Sequence, residues 1–381
     1  MWCVLGVLVV VAGALPAQGR GKQAPAPQPP PVPASSPYLD ATGVEGFAGG
    51  RRPEEVEQVL GRKVLWLETD HFRIGSTLGA YALTGGDPTR GTFDAELARL
   101  RRSLPRVPAK ATSLDPWLRL HLYGQRLEEL HADLERQLGA SDGDWPDGKQ
   151  EVLLLEDGRS LHAFGMAFLG FRPTQSQRHF FFRTRTLLFV TAVDLFGPAL
   201  RNDRALHGHV AYHATANLLD GYLGFRFDIP VWLKVGLCQH HARRVDPRSA
   251  SYEQLLPTPA DAQLVHDWRR HLHQALAEGT LTPAAELMQW FDVAPMRIGD
   301  TIACWSRVDF LLERHGMRFA DLVRAVKQPG PATRLPPTRE EVLARQSQAL
   351  KDTFGTDEAG LDRAWREYVL PRPVIQARRK R

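Results

Sequence analysis

The alternation of apolar and polar positions changes character about halfway along the chain. Residues 63–75 (KVLWLETDHFRIG) are rich in β-branched and apolar side chains and predict a strand, a turn and a second strand. Residues 116–139 (PWLRLHLYGQRLEELHADLERQLG) repeat apolar positions at helical spacing and close on a glycine, which predicts a helix. Residues 150–156 (QEVLLLE) predict a strand, and 179–193 (HFFFRTRTLLFVTAV) one long strand or a hairpin with a buried aromatic cluster. From there the period is helical: 199–219, 230–244, 260–277, 301–328, 339–354 and 357–369 each predict a helix. Pro247, Pro257–Pro259 and the stretch 329–338 interrupt them as loops. Strands first and helices afterwards indicate an α+β fold and not alternating βαβ units, as one domain from about residue 60 to 371.

The N-terminus follows other rules. Residues 1–17 (MWCVLGVLVVVAGALPA) hold an apolar core and then small residues at a cut after Ala14 or Ala17, the pattern of a signal peptide with a weak positive region. An uncleaved anchor is the alternative, with a run barely long enough to span a bilayer. Cys3 precedes the apolar core and is not placed for lipoprotein processing. Residues 18–37 form a Pro/Ala/Gln tract that cannot bury a core and predicts an extended spacer. The expectation is an extracytoplasmic protein (secreted, periplasmic or at the cell surface) with no transmembrane segment after signal cleavage.

Composition narrows the classes. With 381 residues, 43% hydrophobic and 24% charged, the chain is not disordered. Three cysteines exclude a disulfide-dense scaffold, and Cys238 and Cys304 remain after loss of Cys3 as either a disulfide or two buried thiols. The net charge of +5 suggests a polyanion binder until it is located. Arg378, Arg379, Lys380 and Arg381 supply four charges and Arg20 and Lys22 two more, so residues 38–377 carry −1. A near-neutral body argues against a nucleic-acid surface, and the basic tail 372–381 reads as a frayed terminus.

One constellation carries chemistry. His209 and His213 lie four apart on a predicted helix and share a face, a spacing that lets two imidazoles grip one metal ion. A strand precedes that helix and a second helix opens at Pro230-Val231-Trp232-Leu233. Together these resemble the gluzincin-type zinc metallopeptidases, in particular the peptidase-MA-like proteins of bacteria, whose pattern is H-E-x-x-H and then W-L-x-E-G at the start of a helix. His209-Val210-Ala211-Tyr212-His213 matches the first motif at both histidines, and Trp232-Leu233-Lys234-Val235-Gly236 the second at Trp, Leu and Gly. The 22 residues from His213 to Val235 suit the family. Residues 69–74, 303–316 and 354–368 resemble its early strand, scaffold helix and closing helix. The resemblance implies a zincin-like fold over 62–371.

It also implies two losses. The catalytic glutamate of the family would stand at Val210 and its third zinc ligand at Val235. A zinc hydrolase needs three protein ligands, an open position for water and a base for that water. Valine supplies neither a lone pair nor a proton, and Gln239 stands where related enzymes place a carboxylate that supports the ligand. The expectation is a catalytically inactive peptidase-like protein that binds a peptide or protein, or acts as a surface module, with no cofactor or weakly bound zinc. The alternative is a working metallopeptidase rebuilt on His209, His213 and Cys238 or Gln239. His207, His240 and His241 sit off the metal face. Asp220, Asp228 and Glu253 are the nearest acids, with no spacing that aims them at the site. Tyr212 and Tyr222 offer hydroxyls, Tyr212 from off the histidine face. Trp232 reads as core, and His266, His271 and His273 with Arg269 and Arg270 as a solvated helix face.

Overall fold

A computed structural model describes residues 7–8, 44–83, 90–195, 199–225, 229–249, 252–253, 267–327 and 337–370. The expectations for the spacer 18–37, the tail 372–381, Asp228, Pro257–Pro259, residues 260–266, most of the loop 329–338 and most of the leader lie outside those residues. Within the leader, Val7–Leu8 forms a two-residue antiparallel ladder with Tyr252–Glu253.

The fold is α+β. Its first half is organised by five strands: β1 (Leu65–Glu68), β2 (Phe72–Ser76), β3 (Gln150–Leu155), β4 (Gln177–Phe181) and β5 (Thr186–Ala192). Their order in the sheet is β1-β2-β3-β5-β4. The segment 63–75 is the expected strand–turn–strand, with Leu65 opposite Ser76 and Glu68 opposite Arg73. The segment 179–193 resolves as a hairpin, with Gln177 opposite Val190 and Phe181 opposite Thr186.

Two details differ from the sequence reading. The central strands β2, β3 and β5 are parallel to one another, so the strand-rich half does contain helical crossovers. Helices α2 (Arg90–Ser103) and α3 (Pro116–Leu138) connect β2 to β3, and the seven-residue α4 (Gly158–Phe164) follows β3. The sequence pattern predicts only α3 among them, because α2 is polar and α4 is too short to show a period. The aromatic run 180–182 is not a buried strand either. β4 is the sheet's edge, its residues from Arg178 onward are half-buried, and Phe182 is 76% exposed in the turn.

The sheet is covered on both faces. Ile74, Val152, Leu154 and Phe189 face a large core shared with α3, α5 (Asp203–Gly221), α6 (Val231–Val245) and the long α8 (Ile298–Lys327). Leu153, Leu155, Leu188 and Val190 face a second core, closed by Phe47 and Ala48, α1 (Pro53–Leu60) and α4. Burial on both sides explains why β3 reads as an unbroken apolar run from Val152 to Leu155. Helix α5 lies inside the molecule and is buried continuously from Gly208 to Gly221. Helices α6 and α8 cross at Gly236, where a Cβ would lie 2.4 Å from Val308 Cγ2 and 2.7 Å from the Cys304 carbonyl. Any larger residue there forces the helices apart.

Helix α7 (Trp268–Glu278) presents Arg269, Arg270 and His273 to solvent, with His271 half-buried. Helices α9 (Arg339–Phe354) and α10 (Glu358–Val369) close the molecule. Trp232 is buried and donates from Nε1 to Gln346 Oε1 on α9 at 2.9 Å, the packing role expected of it. Arg307 on α8 pairs with Asp362, and Trp365 Nε1 donates to Ser306 Oγ at 3.0 Å. Cys238 and Cys304 are both buried and are not joined to each other. Among the described residues no helix is long and apolar enough to cross a membrane.

Candidate functional site

Helix α5 is capped by Asn202, whose side chain accepts from the backbone N–H groups of Arg204 and Ala205. Two turns on, His209 and His213 share the face that packs against the sheet. Their ring centroids are 4.6 Å apart and nearly perpendicular. His213 stacks on Phe189 of β5 at 4.5 Å with a 12° interplanar angle. His209 Nε2 lies 2.9 Å from Ser176 Oγ, and that hydroxyl is 2.7 Å from Thr191 Oγ1. The pair sits in the protein interior, His209 fully buried and His213 2% exposed. Neither ring nitrogen of His213 has a hydrogen-bond partner among the described residues.

Burial sets the protonation state. Desolvation lowers His209 to about 3. It holds His213 well below the usual imidazole range, helped by neighbouring His209 and the Arg178 guanidinium. Both imidazoles are therefore neutral near pH 7.

The polar face of α5 continues through Asn217 and Asp220. Arg178 of β4 donates from Nε to Asn217 Oδ1 at 2.7 Å and pairs with Asp220. Lys234 in the first turn of α6 lies 2.8 Å from the other oxygen of Asp220. Burial works to raise the Asp220 carboxyl, but Lys234, Arg178 and Lys327 hold it below its ordinary value. This acid, one of the nearest to the histidines in sequence, is thus committed to cations.

The remaining candidates are spread through the fold. Val210 and Val235 are 1% and 3% exposed and belong to the main apolar core. Cys238 clusters with Tyr212, Ala216 and Ala242, and Gln239 is fully buried. His207 faces Glu96 at 4.0 Å, His240 Nδ1 meets Asp309 at 2.9 Å, and His241 Nε2 meets Gln137 at 3.0 Å. Tyr212 touches the edge of the His213 ring, and Tyr222 packs against Trp145. Among the described residues no three His, Cys, Asp or Glu side chains converge as metal ligands. The donor set at the pair does not fit catalytic zinc: one imidazole is already hydrogen-bonded, no carboxylate among the described residues joins it, and Arg178 directs positive charge at the other.

Sequence reasoning finds the histidines but misses Ser176, Thr191, Arg178, Asn217 and Lys234. The series His209, His213, Asn217, Asp220 at helical spacing is a visible polar stripe; its strand partners carry no comparable signal. Replacing Ser176 with alanine should cost about 1–3 kcal/mol in denaturant unfolding, because it strands His209 Nε2 and the Thr191 hydroxyl in the interior. A cost under roughly 0.5 kcal/mol, the range of surface substitutions, would remove that hydrogen bond from the account.

Comparison with models of protein families, with curated protein sequences and with solved structures returns no match to this chain.

Proposed function

We propose that this chain is an exported, metallopeptidase-like protein that binds a peptide or protein ligand and does not hydrolyse it. The observation that carries the reading is a division of labour within the two motifs. Residues that match the zincin pattern have packing work here: Trp232 bonds to α9, Gly236 admits α8, His213 stacks on Phe189 and His209 bonds to Ser176. The two positions that differ, Val210 and Val235, are those that would supply the base and the third ligand, and both have joined the apolar core. A scaffold that keeps its packing residues, and its imidazoles in packing roles, after losing both carboxylates is the expectation for one that outlived its reaction. The order β5, histidine helix, second helix supports the same reading. So does β4, an edge strand beside the histidine helix, because an edge strand is a template for pairing with an extended peptide. The apolar leader and Pro-rich spacer support an extracytoplasmic location.

Metal analysis tests the reading. Purified protein should carry zinc well below one equivalent and show no chelator-sensitive proteolysis. Stoichiometric zinc together with such proteolysis would replace this reading with the rebuilt metallopeptidase, which the unpartnered nitrogens of His213 favour. A gain-of-function variant tests the scaffold itself. Val210→Glu with Val235→Glu should bind zinc at least about tenfold more tightly than the native chain, since a lost outer partner alone costs about 10–100-fold. A folded double variant with no gain would make the histidine pair a coincidence of core packing.

A further inference from the structure

The hairpin joining β4 to β5 carries an unusual surface. Residues 158–193 contain five arginines and no aspartate or glutamate. At the tip, Phe182, Arg183, Thr184 and Arg185 are all exposed, and Phe182 is the most exposed of the large hydrophobic residues described. The tip is held in place. Arg185 adopts a left-handed backbone (φ 54°), Thr184 and Thr186 hydroxyls lie 2.8 Å apart, and Gly50 lets its own segment approach Thr184. Behind it, Phe180 packs between Phe182 and Phe225, and the Arg185 guanidinium sits 5.3 Å over the Phe225 ring. Among the described residues neither Arg183 nor Arg185 has a carboxylate partner, in contrast to Arg178 on the same hairpin.

Beyond its edge contact with Phe180, this water-facing phenylalanine buries little of itself in the fold. We propose that this hairpin is a contact for an anionic lipid surface: Phe182 enters the boundary between headgroups and acyl chains, and Arg183 and Arg185 meet the lipid phosphates. The chemistry of the tip matches the two layers it would cross, an aromatic for the apolar boundary and guanidinium groups for the anionic one. The size of the tip also favours lipid over a folded protein. A stable protein interface needs about 800 Å² from each partner, which a four-residue turn does not offer, whereas a bilayer needs no shaped counterpart.

The test is co-sedimentation of the full chain with phosphatidylglycerol/phosphatidylcholine vesicles and with phosphatidylcholine alone. The native chain and its variants share the same leader, so differences between them read the hairpin. Arg183→Ser with Arg185→Ser should weaken partitioning onto anionic vesicles roughly 30-fold, about fivefold per arginine, and Phe182→Ser about tenfold. On neutral vesicles the arginine effect should vanish and the phenylalanine effect persist. As a direct readout, a Phe182→Trp variant should show extra emission quenched by brominated anionic lipid, above the baseline of the nine native tryptophans. Unchanged partitioning in the variants together with no extra quenching overturns the proposal. So does loss of an extended peptide ligand in the same variants without any vesicle effect, which would assign the hairpin to a protein partner.

Discussion

Replacing Asp203 with alanine is expected to lower the unfolding free energy by about 3–5 kcal/mol, the range for breaking a buried ion pair from one side. Asp203 is the first residue of α5 and is fully buried. Its two oxygens serve two arginines of α3: Oδ1 accepts from Arg119 Nε at 3.0 Å and Oδ2 from Arg126 Nη1 at 2.7 Å. Arg126 also forms a two-pronged pair with Glu96 of α2 at 3.1 and 2.8 Å, and the Tyr123 hydroxyl lies 3.3 Å from Asp203 Oδ1. Two acids and two arginines cancel, so alanine leaves one buried cation uncompensated. Arg119 would then keep the Gly79 carbonyl at 3.1 Å and the face of the Tyr81 ring, neither of which carries a countercharge. Against a typical total stability of about 5–15 kcal/mol the loss is large, and it should appear as a lower urea midpoint with an unchanged slope. Asp203→Leu combined with Arg119→Met should recover part of it, because removing both partners abolishes the orphaned charge. A single-variant cost below about 1 kcal/mol would mean the arginines find water and that the network is not sealed.

That network also shows where reading the sequence runs out. The helices that form its walls were legible in part: α3 from its apolar spacing and closing glycine, α5 from its helical period, α2 not at all. The charges were not legible as a unit. Arg119, Arg126 and Asp203 are separated by up to 84 residues, and nothing local marks an arginine as buried. The candidate site divides the same way. The spacing of His209 and His213 and the start of α6 follow from local periodicity, which the fold respects. The partners that decide the chemistry, Ser176 and Arg178, come from a neighbouring strand through sheet register, and register is a long-range property. The exposure of Phe182 belongs to the same class. A run of three phenylalanines reads as core until the strand that carries it turns out to be an edge.

Stability should be greatest between about pH 6 and 7 and fall on both sides for opposite reasons, and Glu151 should be a main source of the alkaline decline. On the acid side, burial lowers His131 and His209 to about 3 and pushes His207, His213 and His241 well below the usual range. The unfolded chain charges all of them below about pH 6.5, so it binds more protons, and stability present above that value is lost as the pH falls, by about 1.4 kcal/mol per unit for each. On the alkaline side stands Glu151 of β3, 1% exposed, whose Oε2 accepts the Ala48 N–H at 3.0 Å. Burial raises its carboxyl from 4.5 to about 8, against smaller opposing effects from Ala48 and Arg73. Here the folded state holds the extra proton. Stability is fully present below about pH 4.5 and declines as the pH rises to about 8, by roughly 1.4 kcal/mol per unit, then levels off. His71, held above its ordinary value by Glu128 despite burial, adds a decline of the same sign, so the native profile alone does not isolate Glu151. Glu151→Gln does: the amide oxygen still accepts from Ala48, and no proton is at stake. The variant should be the more stable protein at about pH 8, by on the order of 4 kcal/mol. Its advantage should grow linearly from about pH 6.5 to 8 in urea titrations and stop growing beyond. Parallel pH profiles for the two proteins would mean that water reaches Glu151, and that the segment carrying Phe47 and Ala48 does not seal the sheet.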